Sequence, residues 1–178
     1  MQTIREGALE LRGSVIAIGA FDGVHKGHQS VIREAVEKGE ALRIPSVVYT
    51  FDPPPRHFFQ GAVVLTPIEE KLKRIEKLGI NYAVVASFDE WYSTRLPLEF
   101  IYELNKLKPM EIYVGSNFRF GKNREGDVTL LENHFPVNVT SPVYCNSGKL
   151  ISSTRIRKLI SDGDYKESCS LLGWTAGI

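Results

Sequence analysis

The chain has 178 residues, of which 43% are hydrophobic, so it is long enough for one α/β domain with a sizeable core. Its formal net charge of +1 excludes a global basic field for nucleic acid, so anion recognition has to be local. There is no apolar run of transmembrane length, no signal-peptide hydrophobic region and no CxxC pair, which favours a cytoplasmic protein without a zinc site, a disulfide framework or a membrane partner.

Short β-branched runs alternate with helical patterns along the chain, as in repeated βαβ units. Five strands are predicted, at residues 15–18, 46–51, 82–86, 111–115 and 137–139. Helices are predicted at residues 29–42, 67–79, 97–107, 128–134, 153–161 and 164–172. We therefore expect a Rossmann-like, doubly wound, mostly parallel sheet of about five strands with helices on both faces. Its ligand crevice should lie at the carboxyl ends of the strands.

Three local signals refine this outline. Thr66 is predicted to cap the helix that begins at Pro67, with Glu69 closing a capping box. The stretch 52–55 contains three consecutive prolines and is predicted to lack regular structure. Residues 143–145 and 149–151 are expected to form a hairpin around the Asn-Ser-Gly turn between them.

The first motif with chemical content is GAFDGVHKGH at 19–28, directly after the first predicted strand. Glycines let a backbone approach a phosphate closely, and a helix N-terminus offers free N–H groups and partial positive charge. His25 and His28 can donate hydrogen bonds to phosphate oxygens as charge develops. The alternatives are a capped helix start with surface histidines, or zinc binding by the pair, for which no third ligand has a fitting local spacing.

The second motif is ISSTRIR at 151–157, at the start of a late helix. Its hydroxyls can either cap the helix or bind phosphate, and Arg157 falls one turn after Ser153 on the same face. A guanidinium in that position can hold a polyphosphate through two hydrogen bonds. The alternative is an ordinary Ser/Thr cap with solvated arginines.

These motifs occur in a fixed order with TFDP at 50–53, LTPIEEK at 65–71 and GSNFRFG at 115–121. From about Ser14 to Trp174, the sequence resembles the adenylyltransferase module of bacterial FAD synthetases, the bifunctional riboflavin kinase/FMN adenylyltransferases of the HxGH nucleotidyltransferase superfamily. The resemblance implies that ATP and FMN react directly to give FAD and pyrophosphate, with Mg²⁺ accompanying ATP and no metal site on the protein.

The resemblance also implies roles for individual residues. His25, His28 and Arg157 are the expected catalytic residues. The expected ATP-binding residues are these three together with Gly19, Phe21, Asp22, Gly23, Gly115, Ser152, Ser153 and Thr154. The expected FMN-binding residues are Asp52, Pro53, Pro55, Asn117 and Arg119.

The flavin side departs from the family pattern at one position. The family commonly has a histidine where this chain has Pro54, so a hydrogen bond from that position is lost. Pro54 can instead stiffen the loop, and we do not assign the missing role to the nearby His57. Phe58 and Phe59 are candidates for packing on the isoalloxazine ring, with local core packing as the alternative.

The chain is expected to be one nucleotidyltransferase domain over residues 1–178, without the riboflavin kinase module that usually follows in this family. Its expected partners are the small molecules ATP and FMN. Two other functions stay open at this point. One is adenylyl or cytidylyl transfer to pantetheine phosphate, nicotinamide mononucleotide or glycerol phosphate, and the other is non-catalytic binding of flavin or nucleotide.

Overall fold

Six parallel strands form a single sheet in the computed structural model, which describes residues 1–174. Their order across the sheet is β1-β4-β3-β2-β5-β6, and every neighbouring pair is parallel. The strands are β1 (Gln2–Arg5), β2 (Ser14–Ile18), β3 (Ser46–Asp52), β4 (Tyr82–Ser87), β5 (Pro109–Gly115) and β6 (Val137–Thr140).

Eight α-helices connect and flank these strands within the described residues, together with one 3₁₀ turn at Lys122–Arg124. The helices are α1 (Lys26–Leu42), α2 (Pro55–Gln60), α3 (Ile68–Glu76), α4 (Glu90–Ser93), α5 (Pro97–Asn105), α6 (Val128–Glu132), α7 (Ser153–Ser161) and α8 (Tyr165–Leu172). No helix in this part of the chain is long and apolar enough to cross a membrane.

The central strand β2 explains why the sheet is covered on both faces. All five of its residues are buried. Ile16 and Ile18 belong to the core cluster that contains Phe100 and Leu104 of α5. The alternate residues of the strand, Val15 and Ala17, belong to the cluster that contains Ile32 and Ala35 of α1. Since successive side chains of a strand point to opposite faces, a strand whose residues are all buried requires helices on both faces. The predicted doubly wound architecture is confirmed.

Strand β2 also marks the switch point of the topology. From β2 the chain builds the sheet outward on one side through β3 and β4, and later on the other side through β5 and β6. The connections after β2 and β5 therefore diverge, and they leave a crevice at the carboxyl ends of these strands. Gly19 directly follows β2 and Gly115 is the last residue of β5, so both expected glycines lie at this crevice.

The sheet has one strand more than the sequence predicted. Strand β1 lies at the edge, where Gln2 pairs with Tyr82 and Arg5 with Val85. Three of its four side chains are exposed, so it has little of the apolar pattern from which a strand is predicted. Its backbone pairing with β4 holds it in the sheet.

Two of the local predictions, the Thr66 cap and the irregular proline run, are wrong. Thr66 does not cap α3: the helix begins at Ile68, and the Thr66 hydroxyl accepts a hydrogen bond from the Gly23 backbone N–H at 3.0 Å instead. The proline run is not wholly irregular, because α2 begins at Pro55. Proline is tolerated at the first helical position, where no intrahelical N–H donor is needed.

The structure also shows one short helix that was not predicted and one hairpin that was. Helix α4 is short and was not predicted; Asp89 caps it by accepting from the Tyr92 N–H at 2.7 Å. The expected hairpin after β6 is present as an antiparallel bridge between Tyr144 and Leu150.

Candidate active site

Two adjoining cavities open at the carboxyl ends of the sheet. The phosphate cavity, about 470 Å³, is lined by both histidines of the first motif, the hydroxyl residues of the second, Asn117 and Arg157. The aromatic cavity, about 670 Å³, is lined by six rings: Phe51, Phe59, Phe88, Tyr92, Phe100 and Phe120. Five residues line both cavities: Phe51, Pro55, Arg56, Arg119 and Arg124. The sequence motifs therefore come together at one site, and three arginines lie where its two halves meet.

Two helix N-termini converge on the phosphate cavity. His25 caps α1 and Ser152 caps α7, and both residues line the cavity. Gly27, in the first turn of α1, brings them close: a Cβ there would lie 3.6 Å from the Ile151 carbonyl oxygen and 3.2 Å from the His25 ring. Free N–H groups and the positive ends of two helix dipoles thus face one volume, which favours a polyphosphate.

The two catalytic histidines predicted from the sequence stack on each other. Their ring centroids are 3.5 Å apart with an interplanar angle of 19°. Nδ1 of His25 accepts a hydrogen bond from the His28 backbone N–H at 3.3 Å. In a neutral imidazole the proton then resides on Nε2, which remains available as a donor. Nδ1 of His28 is buried and has no hydrogen-bond partner within residues 1–174, so it is a polar atom left for a ligand.

Both imidazoles are held neutral near pH 7. Burial lowers the pKa of His25 to about 4, with a backbone hydrogen bond acting in the opposite direction and the positive charge of Arg157 adding to the effect of burial. Desolvation also places the pKa of His28 well below its ordinary value, with His25, Lys71 and Arg157 adding to the effect. Neutral imidazoles can serve as hydrogen-bond donors toward an anion, but not as fixed cations.

Asp22 organises the loop between β2 and α1. Its carboxylate accepts hydrogen bonds from the backbone N–H groups of Leu65 (2.9 Å) and Thr66 (3.2 Å) and pairs with the Arg157 guanidinium. Its carbonyl accepts from the Ser153 hydroxyl at 2.9 Å. Asp22 is 2% exposed, so these bonds are sheltered from water. Although Asp22 lines the phosphate cavity, its carboxylate serves mainly to hold α7 and Arg157 against the loop.

Neighbouring residues of the 151–157 motif make different contacts. The Ser152 hydroxyl caps α7 by accepting from the Arg155 N–H at 3.3 Å, which is the ordinary capping role weighed above. The Thr154 hydroxyl accepts from the Arg56 guanidinium of α2. Arg157 donates from Nε to the Val63 carbonyl at 2.6 Å. Side chains of α7 thus contact two segments that lie about a hundred residues earlier in the chain, at the rim of the cavity.

The remaining residues expected at ATP lie around the same volume, with one exception. Gly19 and Phe21 line the phosphate cavity, whereas Gly23 does not. Gly23 has φ of +89°, and a Cβ there would lie 3.1 Å from Leu65 and Leu172 side-chain carbons. Its glycine is required by the turn and by close packing rather than by contact with a ligand.

The residues expected at FMN are only partly together. Pro55, Asn117 and Arg119 line the phosphate cavity, and Pro55 and Arg119 also line the aromatic one. Asp52 and Pro53 line neither cavity. Pro54, which stands where the family commonly has histidine, is buried and lines the phosphate cavity.

The nearby His57 does not take over the role of that histidine. It is exposed, and its Nδ1 lies 2.9 Å from the Ala62 carbonyl oxygen, within its own helix-to-loop connection.

A buried polar network supports the wall of the aromatic cavity. The Tyr49 hydroxyl donates to Glu103 at 2.6 Å and lies 3.0 Å from the Tyr92 hydroxyl. Glu103 also pairs with Arg95 at 2.6 Å, and Arg95 lies over the Tyr92 ring at 4.8 Å. Burial raises the pKa of both tyrosines. The network fixes the orientation of Tyr92, so the cavity is preformed.

Several residues of the site were missed in the sequence. Arg56 and Arg124 carried no motif signal, since arginine is common on surfaces. Phe88 and Phe100 belong to separate segments and meet only in the folded chain. Lys71 belongs to the LTPIEEK motif, from which the resemblance implies no role for it, and it is completely buried behind the phosphate cavity.

Comparison with known proteins identifies relatives of this arrangement. The model of the FAD synthetase family matches residues 8–155. A protein of Geobacillus thermodenitrificans (strain NG80-2), named provisionally as a bifunctional riboflavin kinase/FMN adenylyltransferase, is 58% identical over 166 residues, covering 93% of each chain. The bifunctional riboflavin kinase/FMN adenylyltransferase of Escherichia coli (strain K12) is 34% identical over 170 residues, covering 90% of this chain and 54% of the relative. This chain thus spans about half the length of the latter enzyme.

A solved structure has the same fold. It is described as a macrolide-efflux protein from Streptococcus pneumoniae, is 28% identical and superposes with a TM-score of 0.84. The match covers 97% of this chain and 61% of the other. The similarity concerns the fold, and the efflux activity in that description belongs to the other protein.

Proposed function

The chain belongs to the FAD synthetase family, and we propose that its two adjoining cavities carry out that family's reaction, in which the adenylyl group of ATP passes to FMN. The observation that carries this proposal is the junction of the cavities. A volume suited to polyphosphate meets a volume suited to a large aromatic ring, and three arginines line both. A substrate that joins a planar ring to a phosphate fits across this junction.

On the ATP side, the triphosphate lies between the N-termini of α1 and α7. His25 and His28 donate to phosphate oxygens, and Arg157 contributes positive charge at the start of α7. The cavity lining contains four arginines, Arg56, Arg119, Arg124 and Arg157, and among the described residues Asp22 is its one carboxylate. Asp22 is paired with Arg157, so the net field favours an anion.

On the flavin side, the isoalloxazine ring packs among the rings of the aromatic cavity. Phe59 is 62% exposed and lies edge-on to Phe88, with centroids 5.7 Å apart, so a planar ligand can cover it. The FMN phosphate then points toward Arg56, Arg119 and Arg124, beside Asn117. This arrangement directs the phosphate of one substrate at the phosphates of the other.

The reaction is a direct displacement at phosphorus. An oxygen of the FMN phosphate forms a bond to the α-phosphorus of ATP, and the bond from that phosphorus to the bridging α,β oxygen breaks. The electron pair leaves with pyrophosphate, so no covalent enzyme intermediate forms. Catalysis then consists of alignment by the cavities and stabilisation of developing charge by the histidines and Arg157.

The place we propose for Mg²⁺ is beside the phosphates of ATP. Residues 1–174 contain no cluster of three or more histidine, cysteine, aspartate or glutamate side chains that could hold a metal ion. The carboxylate of Asp22 is already paired with Arg157. Mg²⁺ that accompanies ATP would supply positive charge at phosphate oxygens, which are ligands that a hard cation prefers.

The setting we propose is the cytoplasm, with ATP and FMN as the partners and a single nucleotidyltransferase domain as the working unit. Cys145 and Cys169 are both free thiols, as is typical of a reducing compartment. The relatives are also named as riboflavin kinases, and the function that we propose for the two cavities does not include that activity.

The test is one chromatographic assay of the purified chain with ATP and Mg²⁺, run with FMN and separately with riboflavin. We expect FAD from FMN and no product from riboflavin. FMN formed from riboflavin, without adenylyl transfer, would contradict the proposal. If neither flavin reacts, a panel of pantetheine phosphate, nicotinamide mononucleotide and glycerol phosphate tests the related transferases, and binding of FMN and ATP without turnover indicates a non-catalytic module.

A further inference from the structure

A buried lysine lies behind the phosphate cavity. Lys71 of α3 is 0% exposed, although lysine is rarely found fully buried without a partner. Its Nζ donates to the Phe51 carbonyl at 2.7 Å and to the Ala20 carbonyl at 3.2 Å, and it lies 3.5 Å from the Thr50 hydroxyl. Burying a charge is costly, so this arrangement needs a compensating benefit.

The acceptors of Lys71 are the ends of two central strands. Phe51 is near the carboxyl end of β3, and Ala20 lies just after β2. Both residues line the phosphate cavity, whereas Lys71 does not. Carbonyl oxygens at the ends of parallel strands carry partial negative charge, which is unfavourable next to a polyphosphate. The Lys71 ammonium donates hydrogen bonds to these oxygens from the side away from the phosphate cavity, and its positive charge offsets their partial negative charge.

The loop between β2 and α1, which contains Ala20, also has a strained backbone. Phe21 and Val24 have φ of +47° and +44°, and a β-branched residue rarely adopts this region. Hydrogen bonds hold the loop on either side of Asp22. Lys71 donates to the Ala20 carbonyl, and Arg74 donates to the Gly23 carbonyl at 3.1 Å. Such a conformation persists when its surroundings over-determine it. Because α1 begins directly after this loop, the placement of both histidines depends on these contacts.

We propose that Lys71 is a positioning residue for adenylyl transfer, whose ammonium ties the ends of β2 and β3 together and keeps a fixed positive charge behind the bound phosphates. The inference rests on the proposed function, since it assigns to Lys71 the alignment of the nucleotide for that reaction. Lys71 touches neither substrate. It acts through the Ala20 and Phe51 backbone and through its electrostatic effect on His28.

Lys71 is charged at neutral pH and loses its charge in mildly alkaline solution. Burial lowers its pKa to about 8, against the attraction of Asp52 and Asp22, which raises it. The same loop is also faced by Arg74, which donates to the Gly23 carbonyl, by Arg157, which pairs with Asp22, and by His28, whose pKa Lys71 lowers. His28 is neutral throughout the alkaline range, and arginine does not titrate there. An alkaline loss of activity is therefore expected from Lys71.

The experiment compares Lys71→Met with Lys73→Met in the full chain. Lys73 lies on the same helix and is exposed, so its variant controls for loss of one positive charge. We expect Lys71→Met to lower kcat/KM for MgATP by about 10- to 100-fold, mainly in kcat, with KM for FMN within about twofold of wild type. Wild type and Lys73→Met should lose activity as pH rises through about 8. Lys71→Met should lack that loss, which a merely structural role would not produce.

A second readout needs no turnover. NMR titration of the His28 ring should show its pKa raised in Lys71→Met and unchanged in Lys73→Met. If wild type makes no FAD but the His28 shift is seen, the proposed function fails while the electrostatic coupling stands. The inference is overturned if Lys71→Met has full activity, or if it loses activity at alkaline pH in the same way as wild type. If Lys71→Met does not fold, the wild-type profile decides: activity that stays level from pH 7 to pH 9 overturns it.

Discussion

The two cavities are built in different ways, although they share a wall. The phosphate cavity is assembled from short contiguous motifs whose polar groups are held by sheltered hydrogen bonds, as at Asp22 and Ser153. The aromatic cavity collects single rings from separate segments, such as Phe51, Phe88 and Phe120, and depends on packing. A site suited to phosphate therefore has a local signature in the sequence, whereas a cavity made of separate apolar side chains does not.

The largest effect should come from removing the donor at the centre of the phosphate cavity. We expect His28→Ala to lower kcat by roughly 10²-fold or more, because one transition-state donor is lost, with little change in FMN binding. His134→Ala is the matched control, since His134 is exposed on a different segment. Steady-state kinetics and flavin fluorescence separate the two effects. Unchanged turnover would remove His28 from the mechanism.

Acid should destabilise the phosphate side through His25. Its folded-state pKa of about 4 lies below the unfolded value near 6.5, so the unfolded chain binds the extra proton between these values. Stability is therefore complete above about pH 6.5 and is lost as pH falls toward 4. For this residue we expect a loss of about 2 kcal/mol between pH 7 and pH 5.

Urea unfolding of wild type and His25→Asn at pH 7 and pH 5 measures this loss in the free energy of unfolding. Asparagine can still cap α1 but does not titrate, so the variant should lose less stability in acid. An equal loss in both proteins would show that His25 is not the responsible group.

A smaller effect is expected on the aromatic side. Phe59→Ala should raise KM for FMN about tenfold and leave KM for ATP unchanged, because one stacking surface is removed. Tyr102→Ala removes a comparable ring that is 71% exposed and lines neither cavity. Kinetics with each substrate varied in turn distinguishes the cavities. An equal change in both KM values would mean that the two volumes do not divide the substrates as proposed.

The smallest effect should come from the junction. Asn117→Ala should weaken FMN use about threefold to tenfold, as expected for loss of one hydrogen bond to a charged group. Asn117 is exposed and makes no side-chain hydrogen bond in the described part of the chain, so stability should hardly change. An effect confined to ATP would place the 115–121 loop on the other substrate.

The fold was predictable where a single segment carried its own evidence. Each central strand contains a short run of mostly apolar residues, and the predicted bounds agree with β2 through β5 to within two residues. The edge strand β1 and the short helices α2 and α4 have no such pattern. Thr66 shows the limit most clearly: its spacing predicts a helix cap, but the Gly23 N–H of a distant loop uses its hydroxyl.

The class of fold, the position of the crevice and the candidate phosphate-binding groups could all be predicted from the amino-acid sequence. These follow from the period of apolar residues and from residue types with few alternative uses in such spacing. The tertiary structure alone decided which expected residues bind each other, as Asp22 binds Arg157 and Arg56 binds Thr154. It also created the aromatic cavity and buried Lys71 behind the strand ends. The physical reason is that contacts between distant segments depend on how elements pack, and local spacing does not encode that packing.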